Sequence, residues 1–518
     1  MSLLRSAATV GSLTMASRIL GFVRDMLTAA AVGTGPVAQA FVVAFRFPNL
    51  FRSLFAEGAF NSAFVPMYAR KLAKDGEAGA HAFADQIYSA LFAWLLLFTA
   101  AAEVAMPLIM FVIAPGFTDD PSTFDLAVDF TRIAFPYLLF MSLTAMLSGV
   151  LNSLHRFVAA ATAPVVLNIV MIAALLIAHA MGWSDGAITG YALSWAVGVA
   201  GLFQFLLLWI ACRRAGVTLW LKWPRWTPDV SALVRRGIPG VISGGITQVN
   251  LLIATMIATT IDRAVSYLYY ADRIYQLPLG VVGVAIGVVL LPDMSRKLGA
   301  GDEAAAVASQ NRALELALFL TLPAAFALIA IPTAIINVCF EHGAFTASDT
   351  AATALALGAF AAGLPAFVLN KVFSPGYFAR EDTRTPMRFA IMSVAINISC
   401  ALVLSRYIGH LGIASATAIA AWVNALLLMG VLMKRRHFAL DARMRERLPR
   451  MLLACLVMTA VLIGGLWPIA QVFEGGAPIW QRAALLGLLI GGGIVAYFGS
   501  AHFLGAMRLG EIRRMMRR

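Results

Sequence analysis

Five arginines and three carboxylates stand where ionised side chains are costly. Arg18, Arg24 and Asp25 lie inside the first long apolar run, and Arg46, Arg52 and Glu57 lie in the second. Asp272 and Arg273 open the eighth, within Tyr267-Leu-Tyr-Tyr-Ala-Asp-Arg-Ile-Tyr275. A charge at mid-bilayer costs at least about 2.5–3.5 kcal/mol on insertion scales, and such groups face a bundle interior or a wet cavity. The arginines exceed the carboxylates by two, so the set as a whole needs an anionic partner. Arginine narrows the choice, because its planar fork grips phosphate or carboxylate through paired hydrogen bonds and stays charged when desolvated. A diphosphate diester, carrying about two negative charges, would match the surplus.

Spacing divides the group. Arg18 and Asp25 share one helical face two turns apart, while Arg24 is turned roughly 120° away; Arg46 and Arg52 are offset by about the same angle. Between the latter two, Pro48 removes a backbone donor. The sequence therefore predicts a helix broken at Pro48 and again near Gly58, bent to line a cavity. For any single arginine the competing expectation is snorkelling or a local pair, Arg24 with Asp25 or Arg273 with Asp272. Lys371, in the tenth run, reaches either the cavity or the cytoplasmic surface.

Other chemistries lack their residues. There is no GxxxxGK[ST] loop, no HExxH or other metal-ligand pair among the seven histidines, and no GxSxG elbow. No cofactor and no metal are expected, and a coupling ion is not specified. Gly280, Gly283 and Gly287 read as packing positions in a helix rather than a phosphate cradle. Cys212, Cys339, Cys400 and Cys455 are scattered through apolar segments and read as inert.

The elements that must position these charges follow from composition. Of 518 residues, 61% are hydrophobic and 13% charged, with a mean hydropathy of +0.83. Soluble domains hold about 45–50% apolar and about 25% charged residues, so a soluble enzyme, a disordered chain and a disulfide-stapled secreted domain are excluded. Apolar runs fall near 10–33, 37–70, 86–113, 126–154, 158–181, 187–212, 230–260, 264–295, 313–339, 350–378, 386–408, 412–433, 450–471 and 483–506. Each approaches or exceeds the roughly 20 residues that a spanning helix needs. An all-α polytopic membrane protein with about fourteen spans is expected. Arg18 and Arg24 interrupt the first run, which is therefore not expected to be a cleaved signal.

A net charge of +13 would suggest nucleic acid in a soluble protein. Here the basic residues sit in short connections, on alternate sides of the spans. By the positive-inside rule the basic set, with both termini, is expected to be cytoplasmic, facing anionic headgroups. Nucleic acid is not an expected partner, and a single copy of the chain is expected to suffice.

The chain also repeats. Pro66-Met-Tyr-Ala-Arg-Lys-Leu72 returns as Pro292-Asp-Met-Ser-Arg-Lys-Leu298, and Pro107, Phe117-Thr118, Pro136 and Asn168 recur as Pro332, Phe345-Thr346, Pro365 and Asn397. Offsets of 225 to 229 in one order imply duplication. The expected domains are an N-lobe of six spans over 1–220, a C-lobe of six over 221–440, and a C-terminal helix pair with a basic tail over 441–518. Six being even, the lobes enter the membrane alike, as in rocking transporters.

Several stretches closely resemble the MurJ (MviN) family. They are Ser17-Arg-Ile-Leu-Gly-Phe-Val-Arg-Asp25, Phe45-Arg-Phe-Pro-Asn-Leu-Phe-Arg52, Phe55-Ala-Glu-Gly-Ala-Phe60 with Ala63-Phe-Val-Pro66, Asp272-Arg-Ile-Tyr-Gln-Leu-Pro-Leu-Gly280 and Gly343-Ala-Phe-Thr346. The resemblance covers essentially the whole chain. It implies a lipid II flippase of bacterial peptidoglycan synthesis, in the multidrug/oligosaccharidyl-lipid/polysaccharide exporter superfamily and in the cytoplasmic (inner) membrane. It further implies two MATE-like lobes around a cationic cavity, a tail groove formed by the last two helices, and lipid II and membrane lipids as partners. Arg18, Arg24, Arg52 and Arg273 match the family's cavity arginines, with Asp25 and Glu57 beside them. Gln39 departs from the acidic residue often found there, and Arg46 stands where lysine is also common. The alternatives are another exporter of that superfamily, for drugs or polysaccharide lipids, and a membrane glycosyltransferase acting on the same lipid.

Overall fold

The computed structural model describes residues 3–52, 60–183, 186–474 and 477–506. Among these the chain is helical. The helices are α1 (Leu3–Val32), α2 (Pro36–Phe51), α3 (Asn61–Ile113), α4 (Pro121–Ala134), α5 (Tyr137–Ser153), α6 (Val158–Ala180), α7 (Gly186–Arg214), α8 (Pro228–Thr259), α9 (Ala264–Gly299), α10 (Glu303–Ala330), α11 (Pro332–Phe340), α12 (Ala347–Phe378), α13 (Arg384–Ile408), α14 (His410–Lys434), α15 (Ala442–Leu466), α16 (Ala470–Glu474) and α17 (Ile479–Phe503). Each apolar run read from the sequence falls on one helix or on two consecutive ones, the second run crossing residues 53–59, which lie outside the described residues. Ten helices or joined pairs among the described residues are long and apolar enough to cross a membrane, and α8, bent by 60° near residues 240–245, makes an eleventh. At 16 residues α2 is too short for that criterion, and the charges of α1 lower its hydropathy.

Local chemistry sets the boundaries. Asp120, Thr227, Asp302 and Asp441 each accept a backbone N–H in the first turn of α4, α8, α10 and α15. Thr346 and Asp349 form a reciprocal capping box at the start of α12. Pro48 does not break α2 as the sequence suggests: the helix runs through it to Phe51. The side-chain amide of Asn49 donates to the Phe45 carbonyl at 2.8 Å, adding a side-chain bond within the turn that holds the proline. The expected break near Gly58 lies outside the described residues.

The helices pack into two compact units. One comprises Met1–Ser266 with His342–Phe345, and the other Tyr267–Glu341 with Thr346–Arg518. In the first, α1 packs on α6, α2 on α4 and α7, and α3 on α5 and α8. Its apolar centre stacks Phe60, Phe64 and Tyr68, with Phe83 5.8 Å from Phe64. Although the repeat assigns α8 to the second half, packing joins it to α3, where Lys71 pairs with Asp229 at 3.2 Å.

The repeat is visible inside this first unit as two matching contacts. Ala344 N donates to the Ala30 carbonyl at 2.9 Å at the end of α1, and Gly116 N meets Thr259 Oγ1 at 3.3 Å at the end of α8. Ala30 and Thr259 are 229 residues apart, and Gly116 and Ala344 are 228 apart, both within the repeat offset. Each half thus lays its Phe-Thr loop on the first helix of the other.

In the second unit α12 is central, packed on α10, α11 and α14, while α15 and α17 pack on each other and on α10 and α11 respectively. Polar ties fix this last pair. Arg443 and Arg447 both bind the buried Glu315 of α10. Buried Arg482 donates to Asn337 at 3.0 Å, Asn337 donates to the Phe473 carbonyl at 3.1 Å, and Tyr497 donates to the Phe319 carbonyl at 2.7 Å.

Candidate functional site

The arginines of the first unit occupy three different environments. Arg24 is 6% exposed and Asp25 3%, and one edge of the guanidinium grips Asp25 Oδ1 from Nε at 3.1 Å and Nη2 at 2.7 Å. Its other edge donates from Nη1 to Asn168 Oδ1 of α6 at 3.0 Å, and its plane lies 5.2 Å from the centroid of Phe45. Asn168 in turn donates to the Ser17 carbonyl at 2.9 Å, so α1 and α6 are pinned through one buried amide. The local pairing of Arg24 with Asp25, an open alternative in the sequence, is what the fold adopts.

Arg18, two turns before Asp25, is exposed. Arg46 is half-buried and donates to Thr255 of α8 at 3.4 Å, beside a small cavity lined by Val43, Phe47, Leu50, Ile113 and Leu251. Arg52 is half-buried and donates to Asn49 Oδ1 at 3.0 Å. Gln39 is buried in α2, its side-chain oxygen without a hydrogen-bond partner among the described residues. Glu57 lies outside the described residues.

In the second unit, half-buried Asp272 accepts a hydrogen bond from Gln276 one turn later. The Arg273 guanidinium lies 4.6 Å from the centroid of Tyr269, a face-on contact that suits a cation short of water. The surrounding tyrosines lock this turn of α9: Tyr275 stacks on Phe360 at 5.0 Å and on Phe367 at 5.7 Å. Lys371 of α12 lays its stem across α9, so that a Cβ at Gly283 would stand 2.7 Å from Lys371 Cδ. Gly283 is the packing glycine the sequence suggests, and what it admits is a lysine.

Asn168 carries a role the sequence reading missed, having served there only as a repeat landmark. The signal was present, since a lone amide inside an apolar span needs a buried partner. Among the described residues, no group of three or more His, Cys, Asp or Glu is placed to hold a metal.

These arginine sites are set in a chain whose residues 28–475 match the family model of the lipid II flippase MurJ. The chain belongs to the MurJ family. Relatives named probable lipid II flippase MurJ include one from Rhizobium meliloti (strain 1021), 49% identical over all of this chain and 97% of that protein, and one from Rickettsia prowazekii (strain Madrid E), 36% identical over 97% of this chain and 98% of that protein. A solved structure of lipid II flippase MurJ in an inward closed conformation covers 95% of this chain and 98% of its own, at 24% identity and a TM-score of 0.77. An inward-facing MATE multidrug transporter covers 83% of this chain and 98% of its own, at 16% identity and a TM-score of 0.67. The fold is therefore the polytopic helical fold that MurJ shares with MATE transporters.

Proposed function

We propose that this protein moves lipid II from the inner to the outer leaflet of the bacterial cytoplasmic membrane by alternating access, without covalent chemistry. The observation that carries the proposal is the placement of Arg18 in α1, Arg46 and Arg52 in and just after α2, and Arg273 in α9 of a MurJ-family chain, as exposed or half-buried cations. A headgroup of disaccharide, peptide and diphosphate does not cross hydrocarbon unaided, and these guanidinium groups are the chain's means of replacing its water. Arg18, Arg46, Arg52 and Arg273 would meet the diphosphate or the peptide carboxylates. Asp272 would orient Arg273, and Glu57 would lie close to Arg52 in sequence. Arg24 and Asp25 play a different part. Locked together and to Asn168, they hold the first helix in register so that Arg18 is presented.

The two repeats would act as rocking lobes with both termini in the cytoplasm, while the last helix pair accompanies the isoprenyl tail. The membrane potential supplies about 2.3 kcal/mol per charge per 100 mV, enough to bias return or release. The deciding experiment reconstitutes the purified chain with lipid II and reads the leaflet of the lipid together with its covalent state. Transfer of intact lipid II is expected. A changed covalent product would instead establish a glycosyltransferase, and no change of leaflet would reject the flippase.

A further inference from the structure

The connection between α7 and α8 holds three of the chain's ten tryptophans within seven residues, Trp220-Leu-Lys-Trp-Pro-Arg-Trp226. It has no regular helix from Val217 to Thr227. Its backbone is nonetheless fixed. Trp220 N donates to Asp85 Oδ1 at 2.9 Å and Lys222 N to Ser89 Oγ at 2.8 Å. The Lys222 ammonium closes on Asp85 Oδ2 at 2.7 Å, and Thr227 meets Gln86 at 3.3 Å. Val217 and Leu219 point inward and are buried, while Trp220, Leu221, Trp223 and Trp226 are 66, 58, 85 and 74% exposed.

A strap held so firmly by its polar backbone, yet turning four large apolar side chains outward, is matched to an amphipathic medium. Its level agrees. It leaves α7 just past Arg213 and Arg214, crosses α3 where that helix's second apolar run begins near residue 86, and delivers the chain to α8 at Pro228. Indole rings with an apolar body and one N–H settle at the headgroup boundary. From Arg213 to Arg236 the sequence offers six basic residues against the single acid Asp229, the complement of an anionic leaflet.

We propose that residues 217–227 form an interfacial anchor, which seats Trp220, Trp223 and Trp226 among the headgroups of an anionic bilayer and so fixes the depth at which α8 starts. Asp85 and Ser89 are its protein-side fastening. The test uses the full-length chain in vesicles of phosphatidylethanolamine and phosphatidylglycerol, with iodide on both sides of the membrane. Subtracting the emission of Trp223→Phe isolates Trp223, and Trp226→Phe does the same for Trp226. The expected result is weak quenching by iodide, and quenching about twofold stronger by lipids brominated near the headgroup than by lipids brominated near the chain end. Ready quenching by iodide with none by brominated lipid would put the strap in water and overturn the proposal. Protection from both quenchers would mean that protein covers it, which overturns the proposal equally.

Discussion

Arg24 Nη1 lies 3.0 Å from Asn168 Oδ1, a hydrogen bond between residues 144 apart that closes α6 onto α1. Because the same guanidinium grips Asp25 through its other edge, Arg24 is neutralised where it stands.

This arrangement predicts a split between stability and transport. Arg24→Ala leaves Asp25 charged and buried, at a cost of about 3–5 kcal/mol, which should lower the unfolding temperature in detergent. Arg24→Ala combined with Asp25→Ala removes both charges and should recover most of that loss. Lipid II transfer should stay impaired in the double variant, because the register of α1 still lacks its tie to Asn168. Thermal unfolding and leaflet assays on the same preparations decide it, and recovery of both together would make the pair structural only.

The matched loop contacts predict two intolerant glycines. Gly343 sits at φ +57°, and a Cβ there would stand 2.3 Å from the Ala30 carbonyl oxygen; at Gly116 a Cβ would stand 2.2 Å from that of Thr259. Gly343→Ala bears a left-handed penalty of about 1–2 kcal/mol in addition to the collision, whereas Gly116→Ala bears the collision alone. Both should reduce thermal stability, Gly343→Ala more. Gly358→Ala, with no atom within 4 Å of the added Cβ, should not.

Acid sensitivity should arise at the turn between α12 and α13. Burial alone would raise the Asp382 carboxyl, but hydrogen bonds from Thr385 and Arg435 outweigh it and hold the group at about 2, below its ordinary 3.8. A carboxyl depressed on folding stabilises fully above its unfolded value, and that contribution fades as pH falls from about 4 to about 2. Unfolding temperatures measured across that window should drop. Asp382→Asn should start lower and vary less.

Much of the molecule was legible because its signals are additive along the chain. Long apolar runs mark the helices, and the repeated Pro-x-x-x-Arg-Lys-Leu and Phe-Thr stretches mark the duplication. What stayed hidden depends on partners far apart in sequence. The repeat named Asn168 without revealing that it binds Arg24, and Arg24 and Asp25 were read as a possible local pair whose outcome only packing decides. Pro48 predicted a break, yet α2 runs through it to Phe51 with the Asn49 side chain bonded to the Phe45 carbonyl. The alternation of Val217 and Leu219 inward with the tryptophans outward has no helical period, so it carried no signal until α3 was seen to fasten it.

The last helix pair offers a test in which one residue reports on another. Glu315 of α10 is buried with a side chain 4% exposed, and Arg447, 13% exposed, reaches it from the first turns of α15, with Arg443 at 3.0 Å. Ending the chain after Leu440 removes both cations and strands a carboxylate inside the second unit, a loss of about 3–5 kcal/mol beyond that of the apolar packing. Glu315→Gln should therefore have opposite effects in the two settings. In the full chain it leaves Arg447 without its counter-charge and should lower the unfolding temperature. In the shortened chain it removes the stranded charge and should raise it. Four unfolding temperatures complete the cycle, and a coupling near zero would show that Glu315 does not hold α15 in place.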